Sequence, residues 1–145
     1  MRVIRTPLRV VEQGFTLLEI MVVVVIIGLL VAIVAPNFMG QIDTAAVNRA
    51  KADIRGIEAA LNLYRLDNFR YPSTLEGLQA LVTHPGEASA PNWHQQLERL
   101  PRDPWDQPYQ YANPGQHGAF DVFSYGADRQ EGGEGINADI GNWDL

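Results

Sequence analysis

The chain of 145 residues contains no cysteine. It can therefore form no disulfide framework, no cysteine-ligated zinc or iron–sulfur centre and no thiol nucleophile. Basic residues are scarce too, because 11 Lys and Arg stand against 17 Asp and Glu, for a formal net charge of -6. Such a chain lacks the basic face that binding to nucleic-acid phosphates requires. It also lacks a G-x-x-x-x-G-K-[ST] loop, so nothing in it could hydrolyse a nucleotide.

Apolar residues are not scarce, but they are concentrated in one run. From residue 15 to 35 the sequence reads FTLLEIMVVVVIIGLLVAIVA, with Glu19 as its only charge. As an α-helix this run would extend about 31 Å, close to the thickness of a bilayer hydrocarbon core. Arg2, Arg5 and Arg9 precede it, which by the positive-inside rule predicts a cytoplasmic N-terminus and a translocated C-terminal part.

Two other interpretations of this run are less favourable. A cleaved secretory signal would have a shorter apolar region followed by a small-residue cleavage site, and Pro36-Asn37-Phe38 does not provide one. A buried helix of a soluble protein would have to be apolar on every side within a small domain.

Glu19 is the informative residue of the apolar run. A carboxylate in such a segment is costly and marks a functional site if a partner exists. No Lys, Arg or His lies within one helical turn of it. Either Glu19 reaches the membrane interface, or its partner comes from another molecule.

The run Gly14-Phe15-Thr16-Leu17-Leu18-Glu19, after a short basic leader, resembles the type IV prepilin signal. The resemblance implies that a membrane peptidase cuts between Gly14 and Phe15 and methylates the new N-terminus. The apolar segment would then remain as the assembly core of a filament. The implied partner of Glu19 is the N-terminal amine at Phe15 of a neighbouring subunit, which would desolvate both charges together.

A second helical pattern follows Pro36, where a kink or local unwinding is expected within residues 32–40. The apolar positions recur about every 3.7 residues, which is the helical period. They are Ile42, Ala46, Ala50, Ile54, Ile57, Leu61 and Tyr64. This amphipathic helix is predicted to end at Asp67-Asn68 and to pack on a small sheet.

Ser73 and Glu76 form a capping-box pattern that predicts a second, short helix. Its apolar face would comprise Leu75, Leu78, Leu81 and Val82. A proline-rich loop from 85 to 104 follows, with Trp93 and Trp105 expected to anchor it. Residues 109–112 and 119–125 then read as two strands, so the predicted fold is α+β, a long N-terminal helix on a small antiparallel sheet.

After Tyr125 the sequence GADRQEGGEGINADIGNWDL is acidic and glycine-rich. Glycines would let the backbone turn so that oxygen atoms converge, and such a set of hard ligands suits calcium. A flexible, solvated acidic loop is the alternative, although Ile136, Ile140 and Trp143 favour an ordered loop.

The chain from Gly14 onward resembles the major pseudopilins of type II secretion systems (general secretion pathway protein G). The matching motifs are Tyr64-Arg65-Leu66-Asp67, Tyr71-Pro72, Gly77–Leu81, Leu100–Trp105, Gly126-Ala127-Asp128, Glu131–Gly135 and Ala138–Trp143. The resemblance implies a C-terminal loop that binds calcium through Asp128 and Asp139, with main-chain oxygens near Tyr125 and Gln130. Some relatives have a second acid where this chain has Ala138, so Asn137 or the Glu131–Gly135 stretch would supply that ligand.

This resemblance implies a pilin-like fold in three parts. These are a prepilin leader (1–14), a transmembrane and assembly helix (15–36) and a periplasmic head (37–145). The implied function is that of the major structural subunit of a pseudopilus. This filament would drive the export of folded proteins across the outer membrane. The implied partners are other copies of itself, minor pseudopilins, an inner-membrane assembly platform and the prepilin peptidase/N-methyltransferase.

Two alternative functions remain open from the residues. The chain could be the major subunit of a type IV pilus, although many such pilins close the C-terminal loop with a disulfide. It could also be a membrane-anchored periplasmic hydrolase that uses its carboxylates. The candidate acids are Glu58, Asp67, Asp103, Asp106, Asp121 and Asp128, but no spacing brings two of them together beside His84, His94 or His117.

Overall fold

The computed structural model describes residues 14–145, except for the side chains of residues 35–39. Residues 1–13 of the predicted leader, with its three arginines, lie outside the described residues. The elements are helix α1 (Leu17–Asn68) and strands β1 (Gln110–Ala112), β2 (Asp121–Ser124) and β3 (Ile140–Gly141), with 3-10 turns at Leu78–Leu81, Gly135–Asn137 and Asn142–Asp144. The chain divides after Met39 into two compact units, each described by itself below.

The backbone of α1 is helical through residues 32–40. The local unwinding expected around Pro36 is therefore wrong for this structure. A proline removes one hydrogen bond from a helix, and the bonds of the neighbouring turns can keep the backbone helical. The kink that proline favours stays a prediction.

In the second unit, Gly40–Leu145, one face of α1 forms the centre of the hydrophobic core. Its fully buried side chains are Ala50, Ile54, Ile57, Leu61 and Tyr64, as the helical spacing predicts. Each buried Ile or Leu contributes about 1.5–3 kcal/mol relative to an exposed position. Ile42 was predicted on the same stripe, but it is 65% exposed, so the buried stripe begins later than expected.

The three strands form one antiparallel sheet in the order β1-β2-β3. Tyr111 lies opposite Val122, and Ser124 lies opposite Ile140. Phe120, Val122 and Ser124 are buried on one face, whereas Phe123 on the other is half-buried. The α+β prediction is confirmed, but the two-residue strand β3 was not predicted because its apolar pattern is too short to detect.

The capping box forms, but the helix predicted after it does not. The Ser73 N–H donates to Glu76 Oε2 (2.7 Å), and the Glu76 N–H donates to Ser73 Oγ (3.2 Å). Gly77 then adopts a left-handed φ of 61°, which turns the chain into the short 3-10 segment. The prediction for Leu75 is wrong, since this side chain is 99% exposed while Leu81 is fully buried.

Glu76 also ties this turn to the end of α1. Arg70 donates two hydrogen bonds of 2.7 Å to the two oxygens of the Glu76 carboxylate. This bidentate pair, more than any other contact, lowers the pKa of Glu76 to about 2. Arg70 further donates to the carbonyl oxygen of Ser89, which fixes the start of the long loop against the same corner.

The proline-rich loop is anchored as predicted. The Trp93 indole donates to the carbonyl oxygen of Ala80 at 2.6 Å, and both Trp93 and Trp105 pack against the core. On the sheet side, the hydroxyl of Tyr109 donates to Asp53 of α1, and that of Tyr111 donates to the carbonyl of Pro72. Burial raises the pKa of both tyrosines, so both hydroxyls remain donors at neutral pH.

Leu81→Ala should lower the free energy of unfolding of the head fragment by about 2–5 kcal/mol, because it leaves a cavity in the core. Leu75→Ala, the matched control in the preceding turn of the chain, should change it by less than about 0.5 kcal/mol because its side chain is exposed. Urea unfolding of both variants checks this, and equal losses would contradict the placement of Leu75.

Candidate functional site

The N-terminal unit presents an uncovered apolar helix. The window Leu17–Val34 has a mean hydropathy of 3.2 and is long and apolar enough to cross a membrane by length and composition. None of this window is buried inside the described molecule. A surface of this kind is stable only when lipid or other protein covers it.

Thr16 and Glu19 organise the first turn of α1. The Glu19 N–H donates to both the carbonyl oxygen (3.1 Å) and the hydroxyl (3.2 Å) of Thr16, which caps the helix. Among residues 14–145, the Glu19 carboxylate forms no ion pair. Gly14 and Phe15 lie just before the helix in non-helical conformation. The carboxylate is therefore placed within about one turn of the predicted new N-terminus and remains free to bind another group.

The C-terminal loop is closed on itself by backbone hydrogen bonds. The Ala127 N–H donates to the carbonyl oxygen of Ile136 at 2.9 Å, joining the two arms of the loop. Gly126 has a left-handed φ of 72°, and a Cβ there would lie 2.7 Å from the Ile136 carbonyl oxygen and 2.9 Å from that of Ala138. Main-chain oxygens therefore approach the loop closely at a position where only glycine fits.

Asp139 and Asp128, the predicted acidic ligands, take different roles in this loop. Asp139 Oδ2 accepts the N–H of Gly132 at 2.9 Å, whereas Asp139 Oδ1 is buried and has no hydrogen-bond partner among the described residues. Asp128 is exposed, and its Oδ1 accepts the N–H of Gln130 at 3.1 Å. Such a buried, unpaired carboxylate oxygen is costly unless a cation or donor satisfies it.

The other predicted ligands lie around the same loop. The Tyr125 ring packs edge-on against Phe123, and Asn137 ends the 3-10 turn with its backbone against Gly133. Within residues 14–145, no group of three or more His, Asp or Glu side chains converges in a way that could hold a metal. A cation site here would therefore depend on main-chain oxygens in addition to the two aspartates.

A buried carboxylate that the sequence suggested only as one of six candidate hydrolase acids supports the start of this loop. Asp103 is 2% exposed, and its Oδ1 accepts the N–H groups of Trp105 and Gln107. Its Oδ2 accepts the hydroxyl of Ser124 at 2.6 Å, and Ser124 Oγ accepts the N–H of Gly126 at 3.1 Å. The chain Asp103–Ser124–Gly126 connects the proline-rich loop to the C-terminal loop through β2. The sequence feature that could have pointed to Asp103 is its position between Arg102 and Pro104.

The histidines lie in loops, and each of the three lies near one carboxylate, His84 Nε2 being 4.0 Å from Glu87. His94 Nδ1 is 3.5 Å from Asp67, and His117 Nδ1 is 3.1 Å from Asp121 while its ring stacks on Trp143. Burial alone would raise the pKa of Asp121, but hydrogen bonds from the N–H groups of Gln116 and His117 and from the His117 ring hold it below its usual value. The contacts of His117 with Asp121 belong to a hydrogen-bonded turn.

Ser124→Ala should destabilise the head by about 1–3 kcal/mol, because it leaves the buried Asp103 carboxylate and the Gly126 N–H each without a partner. Ser89→Ala, whose side chain is exposed, serves as the control with little effect. Urea unfolding at neutral pH measures both, and a Ser124 variant as stable as the control would contradict the network.

An uncovered apolar helix, continued by an amphipathic segment beside a three-stranded sheet, defines a membrane-anchored pilin-like subunit. The chain matches the family described as "Type II secretion system (T2SS), protein G" over residues 37–143, and a "Prokaryotic N-terminal methylation motif" over residues 10–35. The chain belongs to the protein G family of type II secretion systems.

Individual relatives agree with this family. The chain is 56% identical over 136 residues to the type II secretion system core protein G of Pseudomonas aeruginosa, covering 92% of this chain and 96% of the relative. It is 52% identical to that of Vibrio cholerae, covering 92% and 93%. The crystal structure of the major pseudopilin from the type 2 secretion system of enterohaemorrhagic Escherichia coli is also similar. It has a TM-score of 0.65 and 43% identity, and covers 76% of this chain and 96% of that one. A type IV pilus subunit or a hydrolase is not favoured by these matches.

Proposed function

We propose that the chain is the major structural subunit of a type II secretion pseudopilus. A peptidase cuts it between Gly14 and Phe15 and methylates Phe15. The mature subunits polymerise from the inner membrane into a periplasmic filament that pushes folded proteins through the outer membrane. The observation that carries this proposal is the helix Leu17–Val34, whose apolar surface is not buried by any of the described residues and which is preceded by the N-terminal methylation motif.

The membrane orientation follows from charge. Arg2, Arg5 and Arg9 precede the apolar segment, so the N-terminus lies in the cytoplasm and the head in the periplasm. The subunit acts without catalysis and depends on partners, namely minor pseudopilins, the inner-membrane assembly platform and the prepilin peptidase/N-methyltransferase. The family match supports assembly with other copies of the chain, and the N-terminal methylation motif supports processing by the peptidase.

Glu19 is assigned the role of positioning subunits in the filament. Its carboxylate forms no ion pair among residues 14–145 and would pair with the amine of Phe15 on a neighbour as both leave the lipid. A subunit with an unpaired amine or carboxylate in an apolar surrounding is strongly disfavoured. The pairing therefore selects the axial register in which each new subunit is added.

Glu19→Gln and Glu19→Val should be cut and inserted normally but should assemble at least about tenfold less filament, because each removes the charge that pairs with the amine. Gly14→Leu is the processing control and should give only the unshifted precursor on a gel. Filaments are measured by shearing and electron microscopy. Wild-type filament yield from both Glu19 variants would contradict the pairing of Glu19 with the Phe15 amine. A mature-sized Gly14→Leu protein would contradict the assigned cleavage site.

We also propose that the C-terminal loop binds calcium. Asp128 and Asp139 would hold the ion with main-chain oxygens of Tyr125 and Gln130, and Asn137 or the Glu131–Gly135 stretch would add a further ligand. The unpaired, buried Asp139 Oδ1 and the oxygen-only donor set fit a hard cation. When bound, Ca²⁺ supplies the positive charge that neutralises the acids of the loop. The residues of the chain itself position those acids, through the Gly132–Asp139 and Gln130–Asp128 hydrogen bonds.

Calcium at about 100 times its dissociation constant should stabilise a head fragment starting near Asn37 by about 2.7 kcal/mol, seen as a raised Tm. Asp139→Ala and Asp128→Ala should lower the Tm and remove its dependence on calcium. Asp144→Ala, an exposed acid near the C-terminus, should keep the full shift. A wild-type Tm that does not change with calcium would remove the metal from the proposal.

A further inference from the structure

An exposed, mostly apolar surface lies at the C-terminal end of α1. We define this distal patch as Asn62, Leu63, Arg65, Leu66 and Phe69. Leu63 is exposed, and the other four residues border a surface hollow of about 420 Å³. Leu66 is 73% exposed and Phe69 is 86% exposed. Large apolar side chains grouped in this way on a small domain mark a site of protein contact.

Phe69 is held outside the core at a conformational cost. It follows the last residue of α1 with a left-handed φ of 59°, and its N–H donates to the carbonyl oxygen of Arg65 at 2.8 Å. Glycine is the usual residue at such a helix end, because a side chain there is strained. A bulky aromatic residue in this place gains almost no contact within the chain, so its contact is expected with another molecule.

The charge beside the patch is positive. Between Gly40 and Asn68 the exposed charged side chains of α1 are all arginines, namely Arg49, Arg55 and Arg65. The acids of the same segment are half-buried. The Arg65 guanidinium lies over the ring of Tyr71 and donates to its hydroxyl at 3.2 Å. Among the described residues it forms no ion pair, so it remains available to an acidic partner.

The opposite charge lies at the other end of the same helical segment. Gly135 and Ile136 of the C-terminal loop border a hollow beside Asp43 and Val47 of α1. The exposed acids Asp128, Glu131 and Glu134 belong to this loop. Eighteen residues of helix, about 27 Å, separate Val47 from Arg65. The acidic loop therefore cannot reach the distal patch of its own chain.

We propose that the distal patch of one copy receives the acidic C-terminal loop of a neighbouring copy, with Arg65 facing Glu134 and the apolar side chains covered by Ile136. The two surfaces differ and lie at opposite ends, so their contact is head-to-tail and generates an open polymer instead of a closed ring. Opposite charges select this register and disfavour patch-to-patch pairing. The contact rests on the proposed pseudopilus and adds the surface through which heads join.

Charge reversal in the full-length chain tests the pairing. Arg65→Glu and Glu134→Arg should each reduce filament yield about tenfold, and the double variant should recover to within about threefold of wild type. Arg99→Glu and Glu98→Arg, equal charge changes on exposed loop residues, should assemble normally. Equal levels of mature protein on a gel show that every variant is made and cut.

Cross-linking provides a second, independent measurement, since the chain has no cysteine of its own. Arg65→Cys combined with Glu134→Cys should give an oxidised ladder of multimers, because each subunit then carries both halves of the contact. Arg99→Cys combined with Glu134→Cys should give no such ladder. Wild-type filament yield from Arg65→Glu, or equal ladders from both cysteine pairs, overturns the proposed contact between heads and leaves the proposed function unaffected. A wild-type chain that forms no filament instead overturns the proposed function.

Discussion

Residues 14–145 do not bury the apolar surface of Leu17–Val34, so this helix needs a cover from lipid or from other molecules, and the rest of the structure depends on that need. Water cannot solvate such a helix at acceptable cost, so lipid must cover it before assembly and neighbouring helices afterwards. In the proposed assembly, the carboxylate of Glu19 in its first turn would need a partner on transfer between these environments.

The head has a different requirement. Its irregular, glycine-rich chain must be held in one conformation although the described residues form three short strands. Buried carboxylates perform this task through hydrogen bonds. Asp103 accepts hydrogen bonds from the N–H groups of Trp105 and Gln107, and it is connected to Gly126 through the hydroxyl of Ser124. Asp121 accepts hydrogen bonds from the N–H groups of Gln116 and His117. Each acid satisfies several N–H groups that no strand or helix could pair, which is why these charges are stable inside a small protein.

The absence of cysteine bears on how the C-terminal loop is closed. A head in the periplasm, where we propose that it lies, could use a disulfide to close its C-terminal loop, but this chain closes it with the Ala127–Ile136 and Gly132–Asp139 hydrogen bonds. The proposed calcium ion would act on the same loop, and the proposed head-to-tail contact would use its outer acids. The loop would thus stabilise each subunit and also form part of the contact between neighbouring subunits in the filament.

Local features were predictable from the sequence because they depend on neighbouring residues. The apolar run, the Gly14–Glu19 motif, the helical spacing to Tyr64 and the Ser73–Glu76 capping box all act within a few positions of the chain. The acids of the C-terminal loop were also found in this way, although their binding of calcium stays a prediction.

Only the tertiary structure decided the remaining features, because they depend on contacts between distant residues. Asp103 and Ser124 meet across 21 residues, and strand β3 exists only because Ile140 and Gly141 pair with β2. Leu75 is exposed, although its spacing suited the core, because the positive φ at Gly77 turns the chain there. The apolar pattern of a segment shows that it has a face to bury, but packing against distant parts of the chain decides which side chains stay outside.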